Sequence, residues 1–236
     1  MTKSKNRNGF LVEATASTIR DQILDLSLAP GSHINVESLI RNFELGRTPM
    51  REALNRLVSE GLIDVFPNRG AFVHKLDLEE VGKLLDAYAV SEQVTGLYCD
   101  FSDPDLVGDV ANMQKKQWAT IKAADYLGVT YWIAEIRTRI IRTCRNDHIF
   151  TFCQRLNNHM RRLFCYVYLV EGKNPSLQEE QFELTRRGHL EILGILRERN
   201  HQRLVTAQLK RLANFRERVA RAISNDNKPG FRLLKI

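Results

Sequence analysis

The side chains with the clearest chemical potential are arginines and a small amide at helical spacing. Arg47, Arg51, Asn55 and Arg56 fall on the polar side of a predicted helix. The apolar residues of that stretch, which predict its buried side, are Leu54, Leu57 and Val58. A helix whose apolar side is buried, and whose basic side chains lie near its N-terminal end, can bind in the major groove of DNA. Taken alone, such a helix is more often only a solvated surface, so its neighbours decide the interpretation.

Sequence signals mark both the start and the end of this helix. Thr48 is predicted as the N-cap, because a threonine hydroxyl accepts a hydrogen bond from a free backbone N–H. Pro49 then falls at the first helical position, where its missing N–H costs nothing. Gly61 is predicted to end the helix in the left-handed conformation.

The surrounding elements indicate how the helix is positioned. A helix is predicted over 14–28 and ends at Pro30, and Asn35 is predicted to cap a second short helix. Two short helices, a tight turn and a capped third helix form a helix-turn-helix. Two β-prone runs follow, and the turn between them places Asn68, Arg69 and Gly70 at the tip of a hairpin. Such a hairpin, or wing, can contact a phosphate or the minor groove.

These motifs together resemble the winged helix-turn-helix domain of the GntR family of bacterial transcription regulators. The matching motifs, in order, are Pro30-Gly31, 47–54 (RTPMREAL), Glu60-Gly61-Leu62 and Asn68-Arg69-Gly70. The resemblance implies that Arg47 and Arg51 contact bases or phosphates, and that Thr48 and the hairpin tip hold the DNA backbone. Two positions depart from the family pattern. Gly46 stands where serine is usual, and Glu37 stands where many members carry a phosphate-contacting arginine.

The second half of the chain shows helical periodicity throughout. The predicted segments lie near 77–100, 104–125, 128–144, 147–170, 177–199 and 201–223. An all-α bundle of six or seven helices behind a winged helix resembles the FadR subgroup, whose helical half is the FCD-type effector-binding and dimerisation domain. The sequence therefore predicts a mainly α fold. Its expected divisions are a disordered basic tail at 1–10, a DNA-binding domain at 11–76, an all-α domain at 77–223 and a loose tail at 224–236.

Two polar residues are predicted to meet inside this bundle. His189 and Arg211 each lie eleven residues from the turn expected near Asn200, so an antiparallel helix pair brings them level. Each interrupts an apolar line, and a buried charge without a partner is costly. Bundles place ligand sites in their cores, from side chains on facing helices.

The resemblance also implies which residues stand at the family's metal site, where an Asp and three His hold a divalent metal. Here Ile133 stands at the Asp position, while Arg137, His189 and Arg211 stand at the His positions. Tyr88 replaces an arginine of the first helix in the second half. Guanidinium cannot bind a metal. We therefore expect no metal and no cofactor, and an effector site formed by Tyr88, Arg137, His189 and Arg211.

The expected effector is a small carboxylate or phosphate, because guanidinium groups recognise planar anions by paired hydrogen bonds. Two alternatives stay open at this point. Either arginine could extend to solvent, or it could pair with a carboxylate of the bundle such as Glu183 or Glu191.

Composition narrows the class of protein. The net charge is +7 and the pI is near 9.4, which suits a nucleic-acid partner. Four cysteines without paired spacing, and no apolar run of membrane length, predict a cytoplasmic protein with no membrane partner. No catalytic motif is evident, so we do not expect an enzyme.

The predicted function is a homodimeric regulator that binds a pseudo-palindromic operator and responds to the anion. One alternative is a nucleoid-type DNA binder with a non-sensing helical half. Another is a metal sensor that uses Asp147, His148 and His189.

Overall fold

A computed structural model describes residues 2–225 of the chain, with side chains from residue 9 to residue 224. The chain divides between Asp77 and Leu78 into two compact units. The elements of the first unit are α1 (Thr2–Leu24), β1 (His33–Ile34), α2 (Val36–Asn42), α3 (Arg47–Ser59), β2 (Ile63–Phe66) and β3 (Gly70–Val73). The helix-turn-helix and the hairpin predicted from the sequence are confirmed.

The core of the first unit lies behind α3. Met50, Leu54 and Leu57 of α3 are buried among apolar residues of α1, α2 and the sheet, including Ile19 and Ile23. Burying apolar side chains stabilises this small unit by roughly 1.5–3 kcal/mol for each large residue. The prediction that Val58 is buried is wrong, because this residue is 36% exposed.

The first helix is longer than the sequence indicated. The tail predicted as disordered at 1–10 belongs to α1 from Thr2 onward. The C-terminal part of α1 is fixed by packing of Val12 and Ala16 against Ala53. A helix that has already formed can extend at little cost, and no proline before Pro30 interrupts it. The tail predicted at 224–236 lies beyond the described residues from 226 onward.

A short strand missed by the sequence analysis completes the sheet. The strand order is β1-β3-β2, and both pairings are antiparallel. His33 pairs with Phe72, and Phe66 pairs with Gly70 across the hairpin turn. A strand of two residues has no alternating pattern long enough to identify.

The second unit contains six helices among its described residues, as predicted. They are α4 (Leu78–Tyr98), α5 (Leu106–Lys122), α6 (Tyr126–Arg142), α7 (Asp147–Glu171), α8 (Pro175–Glu198) and α9 (His201–Asn225). Asn146 and Asn174 cap α7 and α8 through their side-chain oxygens. The helix α4 packs on α7 and α9, while α6 packs on α5 and α7. None of the helices within 2–225 is both long and apolar enough to cross a bilayer.

Candidate nucleic-acid interface and bundle cavity

The helix α3 begins two residues earlier than predicted. Gly46, not Thr48, is the N-cap, with extended backbone angles and no side-chain hydrogen bond. Pro49 is therefore the third helical residue. Its missing N–H is still harmless, because the first N–H groups of a helix have no partner within the helix. At the other end Gly61 has φ +74°, which confirms it as the glycine of the left-handed C-cap.

Ion pairs between α1 and α3 fix the orientation of α3. The Arg20 guanidinium donates to both carboxylate oxygens of Glu60, at 2.7 and 2.6 Å. Arg56 pairs with Glu13 of α1. Arg56 is therefore held in a structural ion pair and is not one of the candidate DNA-binding residues.

The outward side of α3 carries the residues predicted to contact DNA. Arg47, Thr48, Arg51 and Asn55 are all exposed. The Arg47 guanidinium lies 3.2 Å from a carboxylate oxygen of Glu37 on α2. Arg51 makes no ion pair with any described residue. The four side chains can therefore meet a phosphate or a base edge without unpacking the core.

The tip of the hairpin presents a second basic group. Asn68, Arg69 and Gly70 are exposed, and Asn68 and Gly70 have positive φ angles of 60° and 89°. The Arg69 guanidinium lies 5.6 Å from the ring centre of Phe66 and 5.8 Å from that of Phe72. These aromatic contacts limit the conformations of Arg69 before any DNA arrives.

The fold itself favours glycine at position 70, independently of any contact with DNA. A Cβ added at Gly70 would lie 2.9 Å from Nε2 of His33 on the neighbouring strand. With its positive φ, this position suits glycine whether or not DNA lies nearby.

A cavity of about 150 Å³ lies within the second unit. The structure brings Tyr88, Arg137, His189 and Arg211 together in its lining, as expected for the effector site. Apolar side chains of α6, α7, α8 and α9 form much of the remaining wall. Leu184 and Asn214 also line the cavity and are exposed, so it opens to solvent.

An ion pair closes the inner end of the cavity. The Arg137 guanidinium pairs with Glu92 of α4 and donates a hydrogen bond of 2.7 Å to Oγ of Ser91. It also lies 4.1 Å from the ring centre of Tyr88. Of the alternatives left open for Arg137, the structure contains a pair with a carboxylate of the bundle, and the partner is Glu92 rather than Glu183 or Glu191. Burial raises the pKa of the Tyr88 hydroxyl, which is therefore neutral at physiological pH.

His189 and Arg211 lie together on the facing helices α8 and α9. Burial, followed by the positive charge of Arg211, lowers the pKa of His189 to about 3. The Arg211 stem lies against Gly188, where an added Cβ would be 3.6 Å from its Cδ. Arg211 makes no hydrogen bond or ion pair with the residues that the structure describes. Glu183, one of the carboxylates considered for it, instead accepts from Arg186 and Arg187.

The sequence analysis missed several residues of the cavity wall. Arg218 lines it and is held by two hydrogen bonds to Glu171, at 2.9 and 2.6 Å. Gln208 is buried in the wall, and its Oε1 has no hydrogen-bond partner. Glu92 lies one helical turn after Tyr88, and that i, i+4 spacing could have indicated that they share a surface.

The described residues form no cluster of three or more His, Cys, Asp or Glu side chains suited to a metal. Asp147 and His148, considered as metal ligands with His189, are exposed at the start of α7 and do not line the cavity.

Comparisons with known proteins bear on the first unit and on the fold of the chain. Residues 11–73 match the family model described as bacterial regulatory proteins, gntR family. The chain is 26% identical, over 202 residues, to an HTH-type transcriptional regulator in an unstable DNA locus of Streptomyces ambofaciens. That match covers 82% of this chain and 83% of the relative.

Two solved structures share the fold over nearly the whole chain. A GntR transcriptional regulator from a Rhodococcus species superposes with a TM-score of 0.72 and 20% identity, covering 91% of this chain and 98% of its own. McbR/YncC of Escherichia coli gives a TM-score of 0.73 and 16% identity, covering 90% and 98%.

Proposed function

We propose that this chain, whose residues 11–73 match the GntR family model, is a DNA-binding transcriptional regulator that binds a specific operator under the control of a small anion. The observation that carries the proposal is the outward side of α3, where Arg47, Arg51 and Asn55 are exposed over a packed back. A helix held in this way can enter the major groove without unfolding any part of its unit.

The proposed contacts are divided between two elements. Arg47, Thr48, Arg51 and Asn55 of α3 approach base edges and phosphates, and Asn68, Arg69 and Gly70 approach the backbone or minor groove. Arg51 carries the base-specific contact in this proposal, because Arg47 is engaged by Glu37 and Arg51 has no such competitor among the described residues. Phosphate contacts supply much of the affinity, which makes it salt-dependent.

The regulator is proposed to act as a homodimer on a pseudo-palindromic operator, with the helical unit as an FCD-type domain of the FadR subgroup. Two-fold symmetry then presents one α3 to each half-site, roughly 10 base pairs apart or closer.

The effector is proposed to enter the bundle cavity. Tyr88 and Glu92 at its inner end belong to α4, which follows the DNA-binding unit directly in the chain. A ligand that moves α4 can change operator affinity, and a coupling of about 1–3 kcal/mol is sufficient for a switch. No metal is proposed in the cavity, because Arg137 and Arg211 occupy two of the family's ligand positions.

The DNA-binding proposal is tested by comparing two arginines of the same helix. A preferred duplex is first selected from a random pool with the wild-type protein, and affinities are then measured by fluorescence anisotropy. Arg51→Ala is expected to weaken binding by roughly tenfold or more, as loss of a bidentate base contact does. Arg56→Ala removes the same charge from the side of α3 that faces Glu13, so its effect should be clearly smaller. Equal effects of the two substitutions would contradict the proposed orientation of α3.

A further inference from the structure

The charged residues that line the bundle cavity are almost entirely paired. Arg137 is matched by Glu92, and Arg218 is matched by Glu171. Both arginines are buried, and each also stacks on a tyrosine ring. Neither can turn to a ligand without leaving a buried carboxylate unpaired, which is strongly unfavourable.

Arg211 is the exception among the described lining residues. It has neither a hydrogen bond nor an ion pair with another residue in the described part of the chain, and its stem lies on Gly188. His189 next to it adds no charge, because burial keeps the imidazole neutral at physiological pH. The cavity therefore offers a ligand one unmatched positive charge.

The rest of the wall is mainly apolar. Ile136, Phe164 and Phe215 line it, and the two phenylalanine rings lie 4.4 Å apart between their centres. A second negative charge on a ligand would be removed from water here without a cation to receive it. An uncharged hydrocarbon body would instead bury its apolar surface against these side chains, which is favourable.

From this arrangement we infer that the effector is a small monocarboxylate with an apolar body, held at its carboxylate by Arg211. This inference rests on the proposed function and narrows it, because it excludes dicarboxylates and inorganic phosphate as preferred ligands. The guanidinium can donate two parallel hydrogen bonds to one carboxylate group. The apolar part of the ligand then extends toward Phe164 and Phe215.

Three five-carbon probes of similar size and one compact anion separate the effect of charge from that of shape. Pentanoate is a monoanion, glutarate has the same carbon chain with two charges, pentanamide is the uncharged equivalent, and inorganic phosphate is a compact polyvalent anion. Binding of each to the full chain is measured by calorimetry at pH 7.5. Pentanoate is expected to bind at least tenfold more tightly than the other three, in line with a charged hydrogen-bonded contact.

Variants of α9 locate the contact. Arg211→Gln should lower pentanoate affinity by about tenfold or more while leaving pentanamide binding unchanged. Arg211→Lys keeps the charge and should retain the preference for pentanoate over pentanamide. Arg216→Gln is the matched control, because it removes one positive charge from α9 at a surface pair with Asp86. It should bind pentanoate like the wild type.

The measurements distinguish a failure of the monocarboxylate inference from a failure of the effector proposal. If glutarate or phosphate binds as tightly as pentanoate, or if Arg211→Gln leaves pentanoate affinity unchanged, the monocarboxylate inference is wrong and the effector proposal survives. If none of the four probes binds the wild-type chain, the effector proposal itself is overturned, together with this inference.

Discussion

Because of His189, the free energy of unfolding of the helical unit should decrease as the pH falls. Its pKa in the folded chain is about 3, lowered from 6.5 by burial and then by Arg211. Protonation is therefore favoured in the unfolded chain, so the contribution of His189 is fully present above pH 6.5 and is lost as the pH falls toward 3. One pKa unit corresponds to about 1.4 kcal/mol, and the loss between pH 7 and pH 5 comes to about 2 kcal/mol.

The chain offers a selective probe for this effect. Its two tryptophans, Trp118 and Trp132, both lie in the helical unit, so their fluorescence follows the unfolding of that unit. Urea unfolding is measured at pH 7 and pH 5 for the wild type and for His189→Gln, which cannot titrate. Other titrating groups are common to both proteins and cancel in the comparison. The wild type should lose about 2 kcal/mol relative to the variant. Parallel losses in the two proteins would refute the assignment of a neutral, buried His189.

Two further substitutions test ion pairs on which the account depends. Glu37→Gln removes the carboxylate that pairs with Arg47 and should tighten operator binding by about two- to fivefold, since an exposed pair is worth up to about 1 kcal/mol. The control is Asp86→Asn, which changes the net charge equally in the other unit. In the same anisotropy titration it should not increase the affinity for the operator. Glu92→Gln leaves the buried Arg137 without its counter-charge and should cost about 3–5 kcal/mol in urea unfolding, whereas the double change Glu92→Leu with Arg137→Met should recover most of it. A single Glu92→Gln variant as stable as the wild type would show that the pair contributes nothing.

Local signals in the sequence were sufficient for most of the fold. Helical periodicity located the six helices between residues 78 and 225, and the proline, asparagine and glycine signals located the helix-turn-helix and its hairpin. The N-cap of α3 was misplaced by two residues, because a threonine before a proline resembles a cap and Gly46 has no side chain to indicate one. The strand β1 forms only through its pairing with β3, which no local pattern records.

The cavity was predictable in part. Equal distances from a helical turn brought His189 and Arg211 into one lining, because antiparallel helices place such residues level. The partner of Arg137 was not predictable in this way. Glu92 lies 45 residues away in the chain, and which of many carboxylates meets a buried arginine depends on the packing of α4 against its neighbours rather than on spacing.

The central claim is that α3 lies in the major groove with Arg51 against a base. It is tested most directly by repeating the selection from a random duplex pool with Arg51→Ala and comparing the preferred sequences. If Arg51 contacts a base, the variant should lose its preference at one base pair, and at the symmetric position of the second half-site, while other positions keep theirs. A selected sequence identical to that of the wild type would contradict the claim.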